Sequence, residues 1–238
     1  MCRLLIQVEG ETEETFVKNI LAHHLYDYGY SKVDARLLGR ARMRANRGGI
    51  CSWLIVREEI LNRLKEDRGV IVSTMVDYYG LPQTGEQAWP GRHEASTLAF
   101  NDKARTIEAA LLEDICEGVG DNFNRNRFIP YVMMHEFESM LFSDCRLFGK
   151  GINRPDLIPR LEAFRNQFLT PEEINDSPET APSKRIKSLI PEYQKPLQGL
   201  SAISKIGLET IRTECPHFRE WLCKLEGLPN HNTPTIDY

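Results

Sequence analysis

Acidic residues follow three of the hydrophobic segments that the sequence predicts as β-strands. Residues 3–8 are followed by Glu9 and Glu13, residues 70–76 by Asp77, and residues 128–134 by Glu136 and Glu138. Because parallel strands deliver their C-terminal ends to one edge of a sheet, we expect these side chains to meet there. Crowded carboxylates repel one another, and a hard divalent cation relieves that repulsion. The sequence therefore predicts a Mg²⁺ or Mn²⁺ site.

Such a site favours phosphodiester chemistry. A bound divalent cation can activate water and stabilise the leaving oxygen when a phosphodiester is cleaved. We take Glu9, Asp77 and Glu136 as catalytic candidates and all five acidic residues as candidate metal ligands. Each residue alone also has a structural interpretation, because an acidic residue after a strand often caps a helix or faces the positive end of its dipole. Recurrence at three strand ends favours the functional interpretation.

A basic segment offers contacts for phosphate. It contains Arg40, Arg42, Arg44 and Arg47, in a predicted loop that ends at Gly48-Gly49. The planar guanidinium group matches phosphate oxygens with paired hydrogen bonds. We predict that these arginines bind the backbone of DNA or RNA; the alternative is a solvated surface loop. The net charge of −4 argues against a chain that is basic throughout, and it leaves room for a local patch.

Several residues beside the acidic groups have two interpretations. His135 could bind a metal or carry a proton, but a histidine at a strand end more often packs and hydrogen-bonds. Tyr78, Tyr79 and Trp89 follow Asp77. They could stack on nucleic-acid bases, and we favour packing that holds the long loop in place.

Predicted strands and helices alternate over the first 150 residues. The strands are 3–8, 33–38, 70–76 and 128–134, and the helices are 12–28, 52–67, 102–117 and 136–142. This alternation predicts an α/β fold with a mainly parallel sheet flanked by helices. Later segments read as helices separated by proline-containing breaks, at 156–168, 171–175, 183–190, 201–214 and 216–226. We predict an α/β domain over residues 1–150 and a helical region over residues 151–238 packed on it.

The composition fits a globular chain without a membrane segment. The chain has 238 residues, of which 41% are hydrophobic and 27% charged. No apolar run approaches the roughly 20 residues that a bilayer-spanning helix needs. The first residues become acidic too early for a signal peptide, so we expect a cytoplasmic protein. The six cysteines are scattered, which indicates thiols and not a disulfide framework.

The motifs also resemble known families. Val8-Glu9-Gly10-Glu11-Thr12-Glu13 resembles the first motif of Toprim domains, especially those of OLD-type nucleases. Nearly the whole chain resembles a bacterial family, domain-of-unknown-function family 4276. The segments that carry this second resemblance are Val76–Pro82, His135–Phe142, Ala181–Arg185 and Cys215–Phe218.

The resemblance implies a Toprim-like parallel sheet and assigns roles to two residues. Glu9 would be the general acid/base or a metal ligand, and Asp77 would bind Mg²⁺. Toprim proteins usually carry Asp-x-Asp at the second motif, whereas this chain has Asp77-Tyr78-Tyr79. The role of the missing aspartate would pass to Glu136 or Glu138. The resemblance also implies that family members are encoded beside ATPases of the ABC or AAA type. It therefore implies an ATPase partner and a role in anti-phage defence.

Three functions are therefore open. The first is a Mg²⁺-dependent nuclease acting on DNA or RNA. The alternative is a catalytically inactive Toprim scaffold that binds or regulates a partner ATPase, which the missing aspartate favours. The third is topoisomerase- or primase-like chemistry; a topoisomerase would need a tyrosine nucleophile, and nothing distinguishes Tyr78 or Tyr79 from packing residues.

Overall fold

The centre of the fold is a parallel sheet. The computed structural model describes residues 2–39, 50–174 and 182–229. Its strands are β1 (Cys2–Val8), β2 (Tyr30–Leu37), β3 (Val70–Asp77), β4 (Phe128–Ile129) and β5 (Val132–Met133). They are hydrogen-bonded in the order β2-β1-β3-β4, and β5 also pairs with β3. Every pairing is parallel, which confirms the predicted α/β fold.

Helices cover both faces of the sheet. They are α1 (Glu11–Phe16), α2 (Ala22–Tyr26), α3 (Trp53–Glu66), α4 (Arg92–Ala95), α5 (Phe100–Val119), α6 (Cys145–Gly151), α7 (Ile158–Arg165), α8 (Pro182–Leu189), α9 (Leu200–Ile206), α10 (Leu208–Glu214) and α11 (Pro216–Gly227). A π-helical turn, Val17–Leu21, joins α1 to α2. The predicted helix 201–214 is divided at Gly207 into α9 and α10. None of the helices in the described ranges has the length and apolar character to cross a bilayer.

The two central strands are hydrophobic on both sides because both of their faces are covered. In β1, Leu4 and Ile6 belong to one core and Leu5 to the other. All residues of β3 are buried. This burial explains why both segments read as continuous apolar runs, as expected for a parallel sheet packed between helical layers.

The predicted strand 128–134 is interrupted at Pro130, which separates β4 from β5. Proline has no N–H to donate to a strand ladder. Two side chains of β3 instead make hydrogen bonds to the backbone on either side of Pro130. Ser73 Oγ donates to the Ile129 carbonyl, while Thr74 Oγ1 accepts from the Tyr131 N–H at 2.9 Å and donates to its carbonyl at 3.1 Å. Two hydroxyls inside an otherwise apolar strand therefore have a structural purpose.

The C-terminal helices pack directly on the sheet. Trp221 of α11 donates its indole N–H to Ser73 Oγ at 2.9 Å, and Tyr30 of β2 donates its hydroxyl to the Leu225 carbonyl at 2.7 Å. Residues of both chain halves share one hydrophobic core. The predicted boundary near residue 150 stays a prediction, but the helical region contributes to the same interior as the first three strands.

A buried carboxylate fixes the start of α11. Glu172 is 3% exposed and accepts hydrogen bonds from the backbone N–H groups of His217 and Phe218, both at 2.9 Å. These are N–H groups of the first helical turn, which have no partner within the helix. Glu172 therefore joins the segment after α7 to the helix that covers the sheet.

We predict that Glu172→Ala lowers the free energy of unfolding by about 2 kcal/mol, because two first-turn N–H groups lose a buried acceptor. Urea denaturation of the purified chain measures the change. Glu117→Ala, at an exposed position of α5, is the matched control and is expected to stay within about 0.5 kcal/mol of the wild type. Equal stability of the two variants would contradict the capping role.

Candidate metal centre at the carboxyl edge of the sheet

The strand order brings the predicted acidic residues to one place. The chain winds from β1 to β2 in one direction and from β1 towards β3 in the other, so the sheet reverses its winding between β1 and β3. Open α/β sheets form ligand sites outside the carboxyl ends of the strands at such a switch point. Glu9 follows β1, Asp77 ends β3, and Glu138 lies in the 3₁₀ turn Phe137–Ser143 after β5.

A lysine from the helical region lies among the carboxylates. Lys195 Nζ is 3.1 Å from Glu138 Oε2, 3.5 Å from Glu13 Oε1 and 3.9 Å from Asp77 Oδ2. Its side chain is 37% exposed, while those of the three acidic residues are at most 11% exposed. One ammonium group thus contacts acidic residues from three separate parts of the chain.

Three oxygens of this cluster are buried without a hydrogen bond in the described part of the chain: Asp77 Oδ1, Glu138 Oε1 and Glu138 Oε2. The last of them has the Lys195 ammonium 3.1 Å away, so Asp77 Oδ1 and Glu138 Oε1 are the two that have neither a donor nor this cation beside them. Asp77 is 8% exposed and Glu138 is fully buried. A buried carboxylate oxygen that lacks a partner is energetically costly, and such atoms often mark a site that a ligand or ion completes.

Glu9 and Glu136 each accept a hydrogen bond from a backbone N–H. Glu9 Oε2 accepts from the Asp77 N–H at 3.4 Å, which ties the end of β1 to the end of β3. Glu136 Oε2 accepts from the Ser183 N–H at 2.9 Å, in the first turn of α8. The helical region therefore contacts the site twice, through Ser183 and through Lys195.

Two glycines leave room for the carboxylates. A Cβ atom at Gly80 would lie 2.9 Å from Glu9 Oε2, and one at Gly10 would lie 2.8 Å from Glu13 Oε2. Gly10 has an extended backbone with φ −140° that any residue could adopt. A side chain at position 10 would therefore displace the Glu13 carboxylate, and it would not strain the backbone.

Crowding and burial favour the protonated forms of the acidic residues. Burial, followed by the charge of Glu13, raises the pKa of Glu9 to about 7. Burial also raises the pKa values of Asp77 and Glu138, and the Lys195 ammonium opposes both increases. For Lys195, burial works against the charged form, but the Asp77, Glu138 and Glu13 carboxylates outweigh it and raise its pKa. Lys195 therefore stays charged.

The carboxylate oxygens of this cluster are suitable ligands for a hard cation, but three of the side chains contact the Lys195 ammonium. Carboxylate oxygens are the ligands that Mg²⁺ and Mn²⁺ prefer. The residues of the described ranges nevertheless include no group of three or more His, Cys, Asp or Glu side chains arranged to hold a metal ion. Binding one would require these carboxylates to turn towards it, with the two oxygens that lack donors as the available ligands.

The neighbouring aromatic residues pack as we favoured. His135 is fully buried, stacks on Tyr79 with ring centroids 4.9 Å apart, and places Nδ1 3.2 Å from the Ile174 carbonyl. Trp89 donates its indole N–H to the Cys51 carbonyl at 3.0 Å. Arg92 lies over the buried Tyr78 ring, 3.9 Å from its centroid. These contacts hold the loop after β3 in place.

The structure does not test the predicted contacts between arginines and phosphate. Arg40, Arg42, Arg44 and Arg47 lie outside the described residues, so their role stays a prediction. Sequence reasoning placed the acidic residues but missed Lys195. It stands in Glu192-Tyr193-Gln194-Lys195-Pro196, where no spacing or motif distinguishes it from a surface lysine. Only the three-dimensional packing of the helical region identifies it.

These features define an α/β protein with five carboxylates, three buried and two partly buried, around a partly exposed lysine at the switch point of its sheet. The family model described as "Domain of unknown function (DUF4276)" matches residues 8–226, and the chain belongs to that family. Comparison with curated proteins and with solved structures found no match.

We predict that Glu9→Gln stabilises the metal-free protein at pH 8 and not at pH 4.5. A carboxyl whose folded pKa is raised contributes stability below its unfolded pKa, and that stability is lost as the pH rises through the folded value. An increase from 4.5 to about 7 corresponds to at most about 3 kcal/mol. The amide that replaces the carboxyl cannot ionise, so the variant escapes this loss.

Urea denaturation in EDTA at pH 4.5, 6 and 8 measures the effect. The difference between Glu9→Gln and wild type should grow with pH over this range. Glu117→Gln, at an exposed site, should show no such trend. A constant difference in the free energy of unfolding between Glu9→Gln and wild type at all three pH values would show that folding does not raise the pKa of Glu9.

Proposed function

We propose that the chain is a metal-dependent nuclease that hydrolyses phosphodiester bonds in DNA or RNA. The observation that carries this proposal is the gathering of Glu9, Glu13, Asp77, Glu136 and Glu138 at the switch point, where Asp77 Oδ1 and Glu138 Oε1 lack donors among the described residues. Structural acidic residues are normally satisfied by caps or ion pairs. A cluster that raises its own pKa values is typical of a functional site.

Each residue has a role that follows from its position. A bound Mg²⁺ or Mn²⁺ would supply Lewis-acid stabilisation of the charge that develops on the phosphodiester. Asp77 and Glu138, with Glu13 and Glu136 beside them, would hold the cation. Glu9, with a pKa of about 7, can accept a proton from an attacking water near neutral pH, the range in which a general base works best.

The point at which β2 ends supports a nucleic-acid substrate. Strand β2 ends at Leu37, which pairs with Val8 of β1 immediately before Glu9. Strand β2 therefore ends at the same edge of the sheet as the carboxylates, shortly before the predicted arginine loop. We propose that Arg40, Arg42, Arg44 and Arg47 contact the phosphate backbone there, which adds affinity that depends on salt.

The Toprim relationship and the ATPase partner remain part of the proposal. The Glu9 motif, the arrangement of Asp77 beside Glu9, and the parallel sheet support a relationship to Toprim nucleases. The ATPase partner and the role in anti-phage defence rest on the resemblance of the motifs alone. In this proposal, the nuclease is the effector and the ATPase controls it.

A second candidate function has one observation in its favour. The Lys195 ammonium already contacts three of the carboxylates. A lysine can neutralise a buried acidic cluster as part of a purely structural network. The chain would then be an inactive scaffold that binds or regulates the ATPase and needs no divalent cation.

We predict that Glu9→Gln and Asp77→Asn each reduce Mg²⁺- or Mn²⁺-dependent cleavage by about 100-fold or more, because each change removes a charge that positions the cation or accepts the proton. Cleavage is measured with purified chain on labelled single- and double-stranded DNA and RNA. Both changes preserve side-chain shape, and circular dichroism checks that the variants fold. Glu117→Gln should cut at the wild-type rate.

The outcome separates the two functions. Undiminished cleavage by both folded site variants would remove these residues from the mechanism. If the wild type cuts none of the four substrates, alone or with its ATPase, and still binds the ATPase without a divalent cation, the scaffold function is favoured instead.

A further inference from the structure

We propose that Lys195 is a resident cation of the site, so that the chain binds a single divalent metal ion and the Lys195 ammonium provides the second positive charge. The inference rests on the proposed function and adds to it the number of metal ions that the site binds. Sites for phosphoryl chemistry often use two metal ions about 3.5–4 Å apart, which stabilise the attacking and leaving oxygens.

The position of the ammonium is that of a cation with oxygen neighbours. Lys195 Nζ lies between 3.1 and 3.9 Å from one oxygen each of Glu13, Asp77 and Glu138. A second divalent ion among the same oxygens would meet the ammonium at close range. A divalent ion and an ammonium group that share the same oxygens repel each other strongly in a site that holds little water.

Asp77 and Glu138 each have a second oxygen besides the one that faces Lys195. Asp77 Oδ1 and Glu138 Oε1 have no hydrogen-bond donor in the described part of the chain, and both residues are deeply buried. Each is the other oxygen of a carboxylate that contacts Lys195. Glu9 lies on the Asp77 side, with Oε2 3.4 Å from the Asp77 N–H. On turning towards the ion, Asp77 and Glu138 would supply the one or two carboxylates that Mg²⁺ commonly takes before water and phosphate complete its shell.

The local backbone holds Lys195 in place. It begins the π-helical turn Lys195–Gly199. Gln194 and Gln198 bracket the turn with reciprocal bonds, because the Gln198 N–H donates to the Gln194 carbonyl at 2.9 Å and the Gln194 N–H donates to Gln198 Oε1 at 2.8 Å. The stem of Lys195 therefore starts from an ordered turn, and its partial exposure leaves one side open to a phosphate.

Counting bound Mn²⁺ tests the inference. Isothermal titration calorimetry and the electron paramagnetic resonance spectrum of bound Mn²⁺ should give one ion per wild-type chain without magnetic coupling. In Lys195→Met, the vacated oxygens should accept a second ion that couples to the first, and the first should bind about tenfold more tightly because a nearby positive charge is gone.

Two further variants complete the design. Lys195→Arg keeps the charge and should bind one ion, so it tests the inference even if Lys195→Met fails to fold. Lys205→Met, at an exposed position of α9, should match the wild type. The number of Mn²⁺ ions bound by the wild-type chain tests the inference without any variant.

The outcomes distinguish this inference from the proposed function. Two coupled Mn²⁺ ions in the wild type, together with metal-dependent cleavage, would overturn the single-ion site and leave the nuclease standing. A folded Lys195→Met chain that binds one ion with wild-type affinity would overturn the role of Lys195 as the second positive charge and would also leave the nuclease standing. No bound Mn²⁺ in any variant, with no cleavage, would overturn both.

Discussion

Burial of negative charge at the carboxyl edge of the sheet is the constraint on which the rest of this structure depends. Four acidic residues reach the edge within or directly beyond three strand ends, and Glu13 joins them from α1. Taking such groups out of water costs several kcal/mol each unless opposite charge compensates. Within the part of the chain that the structure describes, one lysine and a few backbone donors compensate this charge, and two oxygens are left without either. An assembly of this kind is poor as a stabilising device, which is why we interpret it as a site.

The fold supplies this arrangement through contacts between distant parts of the sequence. The reversal of strand order places β1 beside β3, and β5 pairs with the last residues of β3. The helical region then covers one face of the sheet and delivers Ser183 and Lys195 to the carboxylates. The two halves predicted from the sequence are therefore interdependent at the site, since the α/β part provides the acids and the helical part provides the cation.

Much of this architecture was predictable, and the reasons for the failures are physical. The apolar runs of β1 and β3 identified strands covered on both faces, and acidic residues at the strand ends identified Glu9 and Asp77. Strand order leaves no trace in local sequence, so adjacency of those ends could not be derived. The break at Pro130 was visible as a residue, but its repair by Ser73 and Thr74 depends on cross-strand geometry. Lys195 was missed because its role arises only when the helical region packs on the sheet.

The central claim is that these carboxylates form a site for a divalent cation, and crystals soaked in Mn²⁺ test it most directly. Anomalous diffraction should show one peak within about 2.5 Å of oxygens from Asp77 and from Glu9 or Glu138, with Lys195 still beside Glu13. A map without any anomalous peak at saturating Mn²⁺, with Lys195 holding all three carboxylates as the only cation, would contradict the account.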